Sequence, residues 1–155
     1  MKGYKVFTLQ EARQLVPTLR DLLERANVEL GEKLEFVSQA NDEYESAEKN
    51  LDMQTNATDL EALRAARSRF QEAIESLSKS QNGYVSRLNY WVEKITSHGV
   101  ILRDLREGLL DFPAEEHGFK FLLCWKLEEQ DINFWHDEND GIVGRKPLTA
   151  LQEYY

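Results

Sequence analysis

The chain has 155 residues, 41% of them hydrophobic and 30% charged, and a formal net charge of −9. That length suits one domain or a domain with an appendage, and so much charge suits long solvated helices. No basic stripe is present to replace counterions released from nucleic acid, and no apolar run approaches the ~20 residues that span a bilayer. Neither a nucleic-acid partner nor a membrane is therefore expected.

The opening residues, MKGYKVFTLQEA, contain no apolar h-region, so no secretory signal is expected. One cysteine, Cys124, excludes an intramolecular disulfide and a multi-cysteine zinc site. These features point to a reducing, cytoplasmic location, and the Asn56-Ala57-Thr58 glycosylation sequon then reads as coincidence.

Thr8-Leu9-Gln10-Glu11 fits a capping box, with the Thr8 hydroxyl accepting from the N3 amide. Apolar positions follow at alternating steps of three and four: Leu9, Ala12, Val16, Leu19, Leu23, Ala26, Leu30, Val37, Ala40, Tyr44, Ala47 and Leu51, broken only by Lys33. A 3.5-residue period held this long predicts a helix over about 8–51 with a coiled-coil-like seam. Pro17 and Gly31 weaken it, so one bent helix, or a short helix leading into a long one, is expected.

Residues 52–57 read as the break, and Thr58-Asp59-Leu60-Glu61 as a second capping box. The second stripe is Leu60, Leu63, Arg67, Phe70, Ile74, Leu77, Gln81, Tyr84, Leu88, Trp91 and Ile95, predicting a helix over 58–98. His98-Gly99 supplies its stop. A short loop between helices of on the order of 40 residues makes an antiparallel hairpin about 60 Å long. A second apolar flank, Leu15, Leu22 and Phe36 with Val85 and Val92, needs further cover. The tip, around residues 44–63, lies beyond reach of the C-terminal residues, so it is either tolerated as a thin hairpin or covered by a second subunit.

After Gly99 the period changes to two. Residues 100–105 and 109–112 read as strands about an Arg106-Glu107-Gly108 turn, the second ended by Pro113 and followed by a polar loop over 114–118. Residues 119–125 and 132–136 read as two more strands, with Arg145 and Pro147 in a tail. The expected fold is α+β: a long antiparallel helical hairpin over 1–98, with a small C-terminal antiparallel β meander over 99–155 packed on its base. The meander is the more acidic part, with 6 basic against 12 acidic residues.

Reactive side chains concentrate in the meander. Asp104, Asp111, Cys124, Glu129, His136 and Arg145 lie on or beside strand ends, with Trp125 and Trp135 between them. Asp111, Cys124 and His136 can sit at similar heights on adjacent strands. Asp111, Cys124, Glu129 and His136 are candidate metal ligands, since cysteine, histidine and carboxylate suit a borderline divalent ion such as zinc. Cys124 with His136 is a candidate catalytic pair for thiol chemistry. Asp104, Arg145, Trp125 and Trp135 are candidates for a ligand site or polar network. The spacing alone selects none of these, because no C-x-x-C or H-x-x-x-H is present. Asp137 to Gly141 approaches a calcium loop but lacks the D-x-N-x-D-G order and the glutamate at position twelve.

Set against these readings, Cys124 beside Trp125 is compatible with a small buried core residue, and Asp111 before Phe-Pro with a turn organiser. Arg145 could fasten the tail through Asp111 or Glu129.

Several motifs resemble the bacterial and archaeal family of unknown function DUF2203. They are Phe7-Thr8-Leu9 with Glu11 and Pro17, Gly108-Leu109 with Asp111-Phe112-Pro113, Leu123-Cys124-Trp125, Trp135-His136, and Gly144-Arg145 with Pro147. Glu128-Glu129 stands where that family usually has glycine-glutamate. The resemblance spans almost the whole chain. It implies the fold and compartment but supplies no activity, and it places any shared role in the C-terminal string.

Two functions remain in contention. One is a non-enzymatic interaction or scaffold module that self-associates or docks a partner through its hairpin. The other is a metal-dependent or thiol-based enzyme with its site in the β module.

Overall fold

The computed structural model describes residues 5–56 and 58–154. Two long helices, α1 (Leu9–Gln54) and α2 (Leu60–Thr96), are followed by five short strands. These are β1 (Ile101–Asp104), β2 (Leu109–Glu116), β3 (Phe119–Lys126), β4 (Phe134–His136) and β5 (Lys146–Pro147), forming one antiparallel sheet in the order β1-β2-β3-β4-β5. The architecture is the expected α+β one, two packed helices and a meander. No helix among the described residues is long and apolar enough to cross a membrane. Ala57, inside the expected break and sequon, lies outside the described residues, as do residues 1–4 of the opening segment.

The Glu11 amide donates to the Thr8 hydroxyl at 3.1 Å, the N-terminal cap expected for α1. Pro17 removes one amide, yet α1 is one continuous helix through it. The start of α2 differs from the expected box. Asp59, not Thr58, is the cap, and its Oδ1 accepts from the amides of Glu61 and Ala62 at 3.0 and 3.2 Å. A carboxylate one residue later does the same work and adds favourable charge at the positive helix end. Gly99 ends the region with φ +92°, and a Cβ there would stand 2.8 Å from Lys5 Cβ.

The chain forms two compact units, residues 28–89 and residues 1–27 with 90–155. Within 28–89 the α1 stripe is buried or half-buried throughout, from Leu30 to Leu51. The α2 stripe is shifted from the expected one. Leu60, Arg67, Ile74 and Gln81 are exposed, while Ala66 and Ala73 are 2% and 7% exposed beside half-buried Leu63, Phe70, Leu77 and Tyr84. The steps of three and four persist, but alternate seam positions carry alanine. Opposite them on α1 lie buried Ala40 and Ala47, and Tyr44 meets Phe70 with ring centroids 5.3 Å apart. Arg87 clasps Glu29 with two bonds of 2.7 and 3.0 Å.

The other unit holds the main core. One sheet face presents Leu110, Phe112, Phe121, Leu123, Trp125 and Trp135, all 4% exposed or less. In the same unit Ala12, Leu19 and Leu23 of α1 and Ile95 of α2 are fully buried, and Arg13 of α1 donates to the Ile132 carbonyl at 2.9 Å. Arg20 stacks over Trp125 and donates to the carbonyls of Leu127 and Glu129 at 2.7 and 2.9 Å.

Two features of the sheet correct the expected strands. First, β2 does not end at Pro113 but runs to Glu116, and His117 and Gly118, at φ 51° and 79°, make a two-residue hairpin into β3 where a longer loop was expected. Positive φ at both central residues is the type I′ geometry that matches strand twist. Pro113 is tolerated because its carbonyl accepts from the Phe7 amide at 2.7 Å. A strand residue points its N–H and C=O to the same side, so the missing donor faces away from the β3 ladder. Second, the tail is not irregular throughout: Lys146 and Pro147 pair with Trp135 and Phe134 as β5.

Candidate functional site

Strand alternation places one set of side chains on the sheet face opposite the tryptophans. Asp111 lies directly across from Cys124, Leu122 across from His136, and Cys124 across from Phe134. His136 is therefore diagonal to Cys124 on the same face. Asp111, Cys124 and His136 are 1%, 1% and 2% exposed, and one ligating atom from each falls within 4.8 Å of the others. They line a cavity of about 330 Å³ whose further wall includes Arg103, Glu138 and Asp140.

The hydrogen bonds around these three residues are specific. The His136 Nδ1 stands 2.8 Å from the Asp137 carbonyl oxygen, which can only accept, so that nitrogen carries a proton. The opposite nitrogen, Nε2, stands 2.9 Å from Asp111 Oδ1. That neighbour is also an acceptor when ionised. Nε2 must then hold either a second proton or a cation shared with the carboxylate. The other Asp111 oxygen, Oδ2, accepts from Arg103 Nε at 2.7 Å, which fixes the plane of the carboxylate and leaves Oδ1 turned toward the imidazole.

Burial and then the negative charge of Asp111 push the Cys124 thiol up to about 11, against partial relief from Arg145. A hydrogen bond to Asp111 adds to the effect. Alone, the sulfur is a protonated thiol at neutral pH and a poor nucleophile. A coordinated cation reverses this, since a ligating thiol is deprotonated outright.

The remaining candidates lie elsewhere. Glu129 Oε1 accepts from Arg145 at 2.8 Å and from the Lys126 amide at 2.9 Å, so it fixes the tail and the β3–β4 turn. Arg145 also reaches the Cys124 carbonyl at 3.3 Å and covers the Phe134 ring at 4.0 Å. Asp104 accepts from the Glu107 amide at 2.9 Å and shapes the β1–β2 turn. Trp125 and Trp135 belong to the core face, and Trp125 Nε1 donates to the Glu129 carbonyl at 3.0 Å.

Arg103 was not singled out by sequence reasoning. The available signal was its position: on β1 it stands two residues beyond Ile101, the partner of Asp111, and so shares that face.

Zinc ligands at 2.0–2.3 Å in a tetrahedron stand about 3.3–3.7 Å from one another. The three side chains fit that demand with small movements, since their ligand atoms already lie within 4.8 Å of one another and Asp111 and His136, at 2.9 Å, would part slightly.

Comparison with curated proteins and with solved structures finds no match. Comparison with family models matches residues 5–148 to the family described as "Uncharacterized conserved protein (DUF2203)". That span takes in both helices and the residues of the Asp111–Cys124–His136 cluster, and the chain belongs to this family.

Proposed function

We propose that the chain is a metal-dependent protein whose sheet binds one divalent transition ion, zinc by preference, through Asp111 Oδ1, Cys124 Sγ and His136 Nε2. The observation that carries this reading is the convergence of three buried ligand atoms of different chemistry within 4.8 Å. The surroundings support it. A histidine ligand typically donates its other ring N–H to a carbonyl or carboxylate, as His136 does to Asp137, and Arg103 orients the carboxylate ligand. Thiolate with imidazole and carboxylate suits zinc better than calcium or magnesium.

Three protein ligands beside a cavity leave a coordination position for water or substrate, the arrangement of catalytic rather than structural zinc sites. A free thiolate nucleophile is the weaker enzyme reading, because burial and Asp111 hold the thiol protonated. The lone cysteine suits a reducing compartment such as the cytoplasm.

The test is elemental analysis of protein purified without added metal, with the Cys124→Ser and His136→Gln variants alongside. Near-stoichiometric metal, lost in both variants, is the expected result. Metal-free wild-type protein that takes up no zinc or cobalt would leave Asp111 and His136 as a purely structural ion pair.

A second reading concerns residues 28–89, where Val28, Leu34, Phe36 and Val85 are 65%, 48%, 59% and 51% exposed. Apolar exposure of this kind supports self-association through the hairpin. Sedimentation velocity of the wild type against a Phe36→Ser/Val85→Ser double variant tests it. A single monomeric species for the wild type across concentrations would refute it.

A further inference from the structure

The cavity beside the three ligands continues into a second of about 570 Å³, and Arg103 and Glu138 line both. Both volumes are typical of small-molecule sites. The floor of the second is the same sheet face: Ile101 of β1, Pro113 of β2 and Leu122 of β3. Glu115 and Lys120, cross-strand partners of opposite charge, close its far end. The site therefore has a polar end at the ligand cluster and an apolar trough leading away from it.

Charge decides what the polar end favours. A divalent ion with the Asp111 carboxylate and the Cys124 thiolate is neutral, and the Arg103 guanidinium adds one positive charge. Arg103 spends only Nε on Asp111, and its Nη groups have no partner among the described residues. They offer further N–H donors in a planar fork, the geometry that recognises a carboxylate. Glu138 and Asp140 are the opposing charges, but both are exposed at the rim, where water screens them, and Asp140 has Lys146 Nζ 3.9 Å away.

We infer that the substrate of this site is a small carboxylate with an apolar body, its head between the metal and Arg103 and its chain over Ile101, Pro113 and Leu122. This rests on the metal-dependent reading of the cluster. The trough selects for chain length and Arg103 for negative charge.

Cobalt-loaded protein titrated with the straight-chain series from acetate to hexanoate tests the inference, with the cobalt absorption spectrum as readout. Affinity should rise about threefold to fourfold for each methylene buried. In Ile101→Ser, a half-buried edge-strand position, the rise with chain length should flatten. Cobalt uptake with affinity independent of chain length would overturn the trough and leave the metal site standing. Alkylamines binding more tightly than carboxylates of equal length would overturn the role of Arg103. Failure to take up cobalt would bring down the metal reading and this inference with it.

Discussion

His136 Nε2 and Asp111 Oδ1 face each other at 2.9 Å in the interior of one sheet face, and both are nearly inaccessible to water. The Asp137 carbonyl commits the other ring nitrogen as a donor, so with Asp111 ionised the contact is an ion pair or a place for a cation. Either way it is costly to break on one side only. In the metal-free protein, Asp111→Ala should destabilise by about 3–5 kcal/mol, because it strands the buried His136, while the exposed Arg103 can turn to water. Chemical denaturation with chelator present gives the value, and a loss below about 1 kcal/mol would contradict the pairing.

Arg103 touches no ligand atom of the proposed ion, yet it holds Asp111 Oδ2. Arg103→Gln should lower zinc affinity by about 10–100-fold while the fold is retained, as loss of an outer hydrogen bond to a ligand does. Competition with a chromophoric chelator reads the affinity, and circular dichroism checks the fold. An unchanged affinity would mean that Asp111 needs no such support.

Cys124 gives a pH dependence with a definite sign. In the unfolded chain its thiol ionises near its ordinary value of 9.0, but in the folded metal-free chain only near 11. Below pH 9 both states hold the proton and the cysteine contributes no slope. Between pH 9 and 11 the unfolded state has lost its proton and the folded state has not, so stability falls as pH rises. The loss is on the order of 2–3 kcal/mol across that window. Parallel melts of wild type and Cys124→Ser isolate it from lysine and tyrosine titration, since the serine variant should lack this part of the slope. At neutral pH the native thiol should react with disulfide reagents at least 100-fold more slowly than the unfolded one.

The shifted seam of α2 separates two readings of the same stripe. Ala73→Leu should destabilise by about 1–3 kcal/mol through overpacking, since Ala73 is 7% exposed on the seam. Ile74→Ala, next along the chain and 43% exposed, should cost less than about 1 kcal/mol. Thermal melts of both variants decide between them, and the reverse order would restore the Ile74 seam.

The contrast between Ala73 and Ile74 also shows what sequence patterning misses. A reader who scores hydrophobicity picks Ile74 over Ala73, because alanine carries little apolar area. Two helices approaching over small residues bury alanine and leave the larger neighbour outside. Arg67 and Gln81, breaks in the expected stripe, are then ordinary exposed positions.

Strand content was legible from the period-two pattern, and the faces followed from it once the register was known. Pro113 misled, because whether a proline ends a strand depends on which side its missing donor faces, and that is a tertiary fact. Asp111, Cys124 and His136 were visible as residue types on separate strands. Their distance depended on the Asp111–Cys124 and Leu122–His136 register, which spacing along the chain does not encode. Glu129, equally plausible by type, is instead held by Arg145. Arg103 went unremarked because a charged residue on a short strand resembles ordinary solvated polarity.

The most direct test of the central claim is a cobalt titration of metal-free wild type and Cys124→Ser, followed by absorption. The account predicts saturation at one ion per chain with a sulfur-to-cobalt charge-transfer band, and loss of that band with weakened uptake in Cys124→Ser. Uptake without a sulfur band, or equal uptake by both proteins, would contradict it.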